Sequence, residues 1–94
     1  MFGPVVVAAV KRVASLPLDV HLMIEEPLRY VREFANAGAD HLTIHVEACQ
    51  DVVATLDAIQ AQGVEAGISL RPGTPFEAIE GYLGRVRTVL VMTV

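Results

Sequence analysis

Short runs rich in β-branched residues alternate along the chain with helix-compatible stretches, and this alternation restricts the possible folds more than any other feature. The runs span Leu18–Ile24, His41–Val46, Glu65–Leu70 and Arg87–Thr93. Their first residues lie 23, 24 and 22 positions apart, which accommodates one strand, one helix and two short loops per repeat. Strands separated by a helix run parallel and are joined by right-handed crossovers. The sequence therefore predicts an N-terminal helix followed by β-α-β-α-β-α-β.

Proline and glycine mark the ends of the predicted helices, which span Pro4–Ala14, Pro27–Ala37, Cys49–Gln62 and Pro75–Leu83. Pro27 and Pro75 open two of them, because the first turn of a helix tolerates a missing N–H. Glycine suits the left-handed conformation that follows a helix, and it comes after three of these stretches, at Gly38, Gly63 and Gly84. Thr74 and Glu77 have the spacing of a capping box, so we expect Thr74 to cap the fourth helix.

Alternation within the runs predicts a sheet with two different faces. One face is aliphatic and carries Leu18, Val20, Leu22, Ile24, Leu42, Ile44, Val46, Ala66, Ile68 and Leu70. The other face is mixed and carries Asp19, His21, Met23, His41, Thr43, His45, Gly67 and Ser69. A parallel sheet covered by helices on both sides is apolar on both faces. This asymmetry therefore favours a barrel wall, with helices outside and a mixed interior.

The length of the chain suffices for half of such a barrel. Eight βα units take roughly 250 residues, and the 94 residues here supply four strands. We therefore predict an α/β fold of four parallel βα units, half of a (βα)8 TIM barrel, as one half-barrel-like domain over residues 1–94. Such a sheet leaves Met23, Leu90, Met92 and two strand edges uncovered. We accordingly expect a homo-oligomer, most simply an eight-stranded dimer in which the space at Gly67 admits side chains of the second copy.

Composition and charge exclude several classes of protein. The formal net charge of −4 opposes a general nucleic-acid surface, which needs clustered Lys and Arg. No uncharged apolar run approaches the ~20 residues of a membrane span, and the stretch Val5–Val10 precedes its basic residues, the reverse of a secretory signal. Cys49 is the single cysteine, which excludes an internal disulfide and fits a reducing compartment. We expect a soluble cytoplasmic protein without nucleic-acid or membrane partners.

Two histidines are the strongest candidates for chemistry. His21 and His45 fall on adjacent strands, face the predicted interior and lie near the strand ends where barrel sites form. Imidazoles in that position either bind a metal or exchange protons, or they are hydrogen-bonded interior histidines without a functional role. Glu47, which ends the second run, is the best placed carboxylate beside them.

The remaining polar residues have simpler interpretations. His41 begins its strand, at the end far from the candidate site, and we expect it on the surface; Asp19 lies at the same early end. Glu25 and Glu26 precede a helix, where favourable interaction with the helix dipole explains them. Cys49 has no base placed beside it by the sequence and is expected to be inert.

The loop Arg71–Thr74 enters a predicted helix N-terminus. Such a loop is a plausible anion site, although a turn with a helix cap explains it equally well.

Several motifs together resemble ribulose-phosphate 3-epimerases. They are Leu18-Asp19-Val20-His21-Leu22-Met23-Ile24 with Glu26-Pro27, Ala37-Gly38-Ala39-Asp40, His45-Val46-Glu47-Ala48, Ala66 to Pro75, and Val89-Leu90-Val91-Met92-Thr93-Val94. Phe2-Gly3-Pro4 is similar to the turn into the family's second helix. The motifs occur in family order over the whole chain and resemble the third to sixth strands of eight. Arg87, where the family usually has Asp, and Arg71, where Asn is common, are departures.

The resemblance implies an isomerase of the pentose phosphate pathway that inverts C3 of D-ribulose 5-phosphate to give D-xylulose 5-phosphate. In the family, two His and two Asp hold a divalent metal, zinc or iron, and the two Asp exchange the C3 proton. Methionines crowd the intermediate and exclude water. Carried over to this sequence, His21 is a metal ligand, and His21, Met23 and Met92 bind substrate.

The resemblance also implies that the other His and both Asp belong to the family's second and seventh strands. Those strands would precede Met1 and follow Val94. A catalytic metal needs at least three protein ligands, so we expect these 94 residues alone to bind no metal stably and to be inactive. The alternatives are a non-catalytic half-barrel scaffold that oligomerises, or part of a related enzyme such as allulose-6-phosphate 3-epimerase.

Overall fold

The computed structural model describes residues 3–93 and contains one sheet of four parallel strands. Its α-helices and strands are, in chain order, α1 (Gly3–Val13), β1 (Asp19–Leu22), α2 (Val31–Ala37), β2 (His41–His45), α3 (Val52–Ala61), β3 (Glu65–Leu70) and β4 (Thr88–Val91). The strands lie side by side in the order β1-β2-β3-β4. The predicted alternation, the parallel sheet and the N-terminal helix are thus confirmed. Phe2 and Val94, which complete two of the family motifs, lie outside the described residues.

Strand boundaries follow the pairing between neighbours. β3 has the predicted bounds, whereas β1 ends at Leu22, two residues before the predicted end at Ile24. Leu22 pairs with Ile44 of β2, and β2 itself ends at His45 because the chain turns into a 3-10 helix at Val46. Met23, predicted on the strand, therefore lies just beyond it and is 67% exposed.

The second and third helices begin later than predicted. The segment Pro27–Tyr30 forms a 3-10 helix before α2, and Asp51 caps α3 by accepting a hydrogen bond from the N–H of Ala54 at 3.0 Å. Glycines at the helix ends behave as predicted in two of three cases: φ is +117° at Gly38 and +73° at Gly63. Gly84 is the exception, since it lies inside a 3-10 helix with no left-handed backbone.

The predicted fourth helix, Pro75–Leu83, is wrong. The segment forms two 3-10 helices, Phe76–Ala78 and Glu80–Arg85. Thr74 does not cap the segment, because its hydroxyl donates to the carboxylate of Glu47. Gly81, inside the predicted helix, weakens an α-helix by about 1 kcal/mol relative to alanine. Without a cap, the local propensity is too low to sustain an α-helix.

The hydrophobic core lies between the aliphatic face of the sheet and the helices. Leu42, Ile44 and Ile68 from the strands pack with Leu56 and Ile59 of α3, and none of the five is exposed to solvent. Burying side chains of this size stabilises the fold by roughly 1.5–3 kcal/mol each. The predicted aliphatic face is therefore the face that the helices cover.

A polar clamp holds the N-terminal helix against the sheet. The carboxylate of Asp40, just before β2, accepts hydrogen bonds from the Nζ of Lys11 at 2.8 Å and from the backbone N–H of Leu18 at 2.7 Å. The hydrogen bond from Lys11, followed by that from Leu18, lowers the pKa of Asp40. The Ala37–Asp40 motif thus aligns α1 with the start of β1.

The outer strand β4 is covered least. All four of its residues are exposed, with Leu90 at 42% and Val91 at 63%. The sequence predicted this exposure for an open sheet with a free edge. Within residues 3–93, no helix combines the length and the apolar character needed to cross a membrane.

Candidate functional site

Three polar side chains meet on the inner face of the sheet, near the carboxyl ends of the strands. The rings of His21 on β1 and His45 on β2 are stacked, with centroids 4.6 Å apart and planes 23° from parallel. The Nε2 of His21 lies 3.1 Å from the hydroxyl oxygen of Ser69 on β3. The structure therefore brings together the two predicted histidines, and it adds Ser69. Strand alternation had placed Ser69 on this face, but nothing in the local sequence marked it as their partner.

His45 is an interior ring without a hydrogen-bonding partner. Its side chain is 7% exposed, and neither ring nitrogen has a hydrogen-bond partner among the described residues. The nearest carboxylate oxygen, from Glu47, is 3.9 Å from Nδ1. Burial, and secondly the charge of His21, lower the pKa of His45. His45 is thus a neutral ring at pH 7 that packs against His21.

An open cavity lies beside the histidine pair. It has a volume of about 350 Å³ and is lined by Met23, Ile24, His45, Ala48, Arg71 and Met92. Met23 follows β1 and Met92 follows β4, so the two methionines reach the cavity from opposite edges of the sheet. His21 is not among the lining residues, but its ring stacks on that of His45, which is. The three residues that the resemblance assigns to substrate binding therefore cluster at one end of the sheet.

Glu47 braces the loop after β3. Its carboxylate accepts hydrogen bonds from the backbone N–H of Arg71 at 2.8 Å and from the hydroxyl of Thr74. Burial raises the pKa of Glu47, but these hydrogen bonds outweigh it and hold the pKa below its ordinary value. Glu47 is therefore a stable anion with an occupied carboxylate. The anion-site interpretation of the Arg71–Thr74 loop is also disfavoured, because Glu47 already binds the Arg71 N–H.

The expectation that His41 lies on the surface is wrong. Its side chain is 12% exposed, and its Nδ1 lies 2.9 Å from the carboxylate of Asp19, at the opposite ends of the strands from the candidate site. A Cβ at Gly67 would lie 2.6 Å from the Cε1 of His41 and 2.7 Å from the Oγ1 of Thr43. The space at Gly67 is thus filled by His41 of the same chain and does not admit a second copy.

Two other sequence interpretations concern the loops near the site. Glu26 has a left-handed φ of +51° before the 3-10 helix and makes no side-chain capping bond. The thiol of Cys49 donates to the carbonyl of His45 at 3.3 Å, and burial raises its pKa. A thiol with a raised pKa is a poor nucleophile, which agrees with an inert Cys49.

The described residues do not by themselves assemble a metal site. Within residues 3–93, no group of three or more His, Cys, Asp or Glu side chains is placed to hold a metal ion. His21 nevertheless fits the role of a single ligand, because its Nδ1 makes no hydrogen bond within that range while Nε2 is held by Ser69. The chemistry available here is one imidazole ligand beside an apolar cavity.

Comparison with known proteins agrees with this geometry. A family model described as the ribulose-phosphate 3 epimerase family matches residues 1–94. The chain is 53% identical over 92 residues to ribulose-phosphate 3-epimerase of Bacillus subtilis (strain 168). The aligned region covers 98% of this chain and 42% of the relative. It is 48% identical over 93 residues to ribulose-phosphate 3-epimerase of Rhodobacter capsulatus. This aligned region covers 99% of this chain and 41% of the relative.

A plant relative gives the same result. The chain is 47% identical over 94 residues to the chloroplastic ribulose-5-phosphate-3-epimerase of Arabidopsis thaliana, covering 98% of this chain and 34% of the relative. The chain therefore spans between 34% and 42% of the length of these three curated relatives. The family match over the whole chain, together with the parallel half-barrel sheet, means that this chain belongs to the ribulose-phosphate 3-epimerase family.

Proposed function

We propose that these 94 residues form one half-barrel-like domain that supplies part of the active site of a metal-dependent epimerase acting on D-ribulose 5-phosphate. In this proposal His21 is a ligand of a divalent metal, zinc or iron, and Met23 and Met92 enclose the substrate. The observation that carries the proposal is the shared cavity: both methionines line it, and His21 lies beside it. Apolar side chains at such a position exclude water from a charged intermediate.

The roles of the residues follow from their surroundings. The bound metal would stabilise negative charge that develops on the sugar oxygens. His21 would hold it through a nitrogen, while Met23 and Met92 contribute surface and no titratable group. Since Glu47 is engaged by Thr74 and by the N–H of Arg71, it positions the loop at the rim of the cavity and exchanges no proton with substrate.

A chimera tests this proposal. Residues 1–94 replace the matching segment of the Bacillus subtilis relative, and epimerisation of ribulose 5-phosphate is measured. We expect an active chimera. In it, His21→Gln should lower the activity at least about 100-fold, because even the loss of a residue that only hydrogen-bonds to a metal ligand costs up to about 100-fold. His41→Gln is the matched control, since it changes a histidine at the far ends of the strands. Equal losses in both variants would contradict a role for His21 as ligand.

The 94 residues tested alone give a second measurement. Because His21 is the one metal ligand that the resemblance places in them, we expect no exchange of the C3 hydrogen for deuterium above background. Exchange that disappears in His21→Gln would overturn this expectation. Replacing ribulose 5-phosphate by allulose 6-phosphate in the chimera assay distinguishes the related epimerase, which is the alternative substrate assignment.

The exposed strand β4 favours a second candidate, a half-barrel scaffold that forms a homodimer. β1 and β4 are the two outer strands, and β4 is exposed along its whole length. In a two-fold dimer, β1 of each copy would pair with β4 of the other and close an eight-stranded sheet.

Sedimentation tests this second candidate. We expect the chain to sediment at twice its mass of 10.1 kDa. Val91→Lys should dissociate the dimer, whereas Val53→Lys on α3 should not; a folded wild-type monomer would refute the dimer.

The cellular context follows from the same proposal. A sugar phosphate is the partner that the family implies, and we infer a cytoplasmic location from the lone cysteine and the acidic charge. Neither nucleic acid nor membrane is expected as a partner, since basic residues are few, 7 of 94.

A further inference from the structure

The two nitrogens of the His21 ring have different surroundings. Nε2 lies 3.1 Å from the hydroxyl oxygen of Ser69, a residue with no exposed surface. Nδ1 makes no hydrogen bond to any residue between 3 and 93. The two nitrogens are therefore not interchangeable, and the hydrogen bond to Ser69 decides which of them carries the proton.

The hydroxyl of Ser69 takes part in two hydrogen bonds, one with His21 and one with the carbonyl of Ile44. A serine hydroxyl has one proton to donate and two lone pairs. Ser69 donates that proton to the backbone carbonyl of Ile44, with an oxygen–oxygen distance of 3.4 Å. Its lone pair is then free to accept from an N–H at Nε2 of His21. The opposite assignment, with Ser69 donating to Nε2, would use the same single proton and give up the bond to Ile44, which is costly at a site without access to water.

The ring of His21 is also held in orientation. The His45 ring is stacked on it at 4.6 Å, and the His45 side chain is itself 93% buried, being 7% exposed. A 180° flip of the ring about the Cβ–Cγ bond would put Cε1 in the place of Nε2 and remove the bond to Ser69. Stacking and hydrogen bonding thus fix one orientation and one tautomer together.

We propose that Ser69 is a positioning residue that holds His21 in the Nε2–H tautomer through the relay His21 Nε2–H to Ser69 to Ile44 carbonyl, so that Nδ1 is the nitrogen offered to a divalent metal. Metal-binding histidines commonly donate their second N–H to such a partner, which fixes the tautomer and orients the ring. The identity of the metal nitrogen rests on the proposed function. The tautomer does not, because it follows from the contacts of Ser69 alone.

The tautomer is measured directly by long-range ¹H–¹⁵N correlation spectra of the 94-residue chain labelled with ¹⁵N at histidine. Spectra are recorded near pH 8, above the ordinary histidine pKa of about 6.5. We expect His21 to show a protonated, pyrrole-type Nε2 and an unprotonated, pyridine-type Nδ1. Ser69→Ala should abolish this pure pattern and give the averaged shifts of two exchanging tautomers. Ser69→Thr retains the hydroxyl and should restore the wild-type pattern.

Thr55→Val is the matched control, because Thr55 also has a buried hydroxyl that donates to a backbone carbonyl, that of Asp51 at 2.9 Å on α3. It should leave the His21 shifts unchanged. A protonated Nδ1 in the wild-type chain, or an unchanged pure Nε2–H pattern in folded Ser69→Ala, would overturn the proposal. If Ser69→Ala does not fold, a protonated Nδ1 in the wild-type or the Ser69→Thr chain still overturns the proposal.

Addition of Zn²⁺ to the chimera with the Bacillus subtilis relative, labelled with ¹⁵N at histidine, separates this inference from the proposed function, because the chimera can supply the metal ligands that the 94 residues lack. We expect the zinc-dependent shift at Nδ1 of His21. A shift at Nε2 would overturn the assignment of the metal nitrogen. A pure Nε2–H tautomer with no zinc-dependent shift at either nitrogen would refute His21 as a metal ligand, and with it the proposed function, while the tautomer assignment would stand.

Discussion

Replacing Gly67 by alanine should destabilise the fold, because the missing side chain makes room for His41. A Cβ at Gly67 would lie 2.6 Å from Cε1 and 3.2 Å from Nε2 of His41, and 2.7 Å from Oγ1 of Thr43. Contacts this short require a neighbour to move. His41 is held by Asp19 at 2.9 Å, and Thr43 is buried at 3% exposure. Neither neighbour is a free surface side chain.

The magnitude follows from two opposing effects. Overpacking a well-packed position costs typically about 1–3 kcal/mol. Replacing glycine by alanine inside a strand otherwise gains about 0.5–1 kcal/mol, since the unfolded chain loses freedom. We therefore expect Gly67→Ala to lower the free energy of unfolding by about 1–2 kcal/mol, measured by urea denaturation at fixed protein concentration.

A matched variant and a double-mutant cycle test the cause. Gly73→Ala has nothing within 4 Å of the new Cβ and should be neutral or stabilising by up to about 1 kcal/mol. Combining Gly67→Ala with His41→Ala should remove at least half of the penalty; the rest arises from Thr43. An unchanged penalty in the His41→Ala background, or a Gly67→Ala variant as stable as wild type, would refute the steric argument.

Further outcomes concern the core, the loop and the thiol. Leu56→Ala should lower the free energy of unfolding by about 2–5 kcal/mol because Leu56 has no exposed surface, whereas Val53→Ala on the same helix, 44% exposed, should change it by less than about 1 kcal/mol in the same urea titration; similar losses would contradict the assigned core. Glu47→Gln should be less stable than wild type at pH 7, and the difference should shrink as the pH falls below the ordinary carboxyl value of about 4.3, because the folded pKa of Glu47 is lowered and its stabilisation is lost on protonation. Thermal unfolding from pH 7 to pH 3 measures this, and a pH-independent difference would speak against an ionised Glu47. Cys49 should react with a thiol reagent more slowly in the folded chain than in urea, since burial raises its pKa; equal rates would show that the thiol is accessible.

Local patterns predicted most of the fold because the interactions behind them are local. The alternation of strands and helices, the parallel order and the aliphatic face all follow from periodicity and from short connections. The bounds of β3 are as predicted, since β2 pairs with residues 65–69 and β4 with residues 67–70, so that every residue of the strand has a partner. The site histidines were also predictable, because His21 and His45 are inner-face positions on adjacent strands.

The failed predictions have in common a contact between residues far apart in sequence. Thr74 was expected to cap a helix, yet its hydroxyl binds Glu47, 27 positions earlier in the chain, and the segment after it forms 3-10 helices. Gly67 was expected to leave an open space, and His41 from the neighbouring strand fills it. In both cases the residue that makes the contact lies more than 20 positions away in the sequence and is brought close by the fold.

The sequence alone determined the half-barrel architecture, the family and the two histidines, because periodicity, glycine and proline placement and the family motifs are properties of the chain read in order. Tertiary structure alone decided how the site is organised. The bond between His21 and Ser69 joins residues 48 positions apart, and the brace between Glu47 and the N–H of Arg71 joins residues 24 apart. Side-chain hydrogen bonds depend on distances of a few tenths of an ångström and on the partner that burial leaves available. Those distances exist only once the four strands have aligned in register.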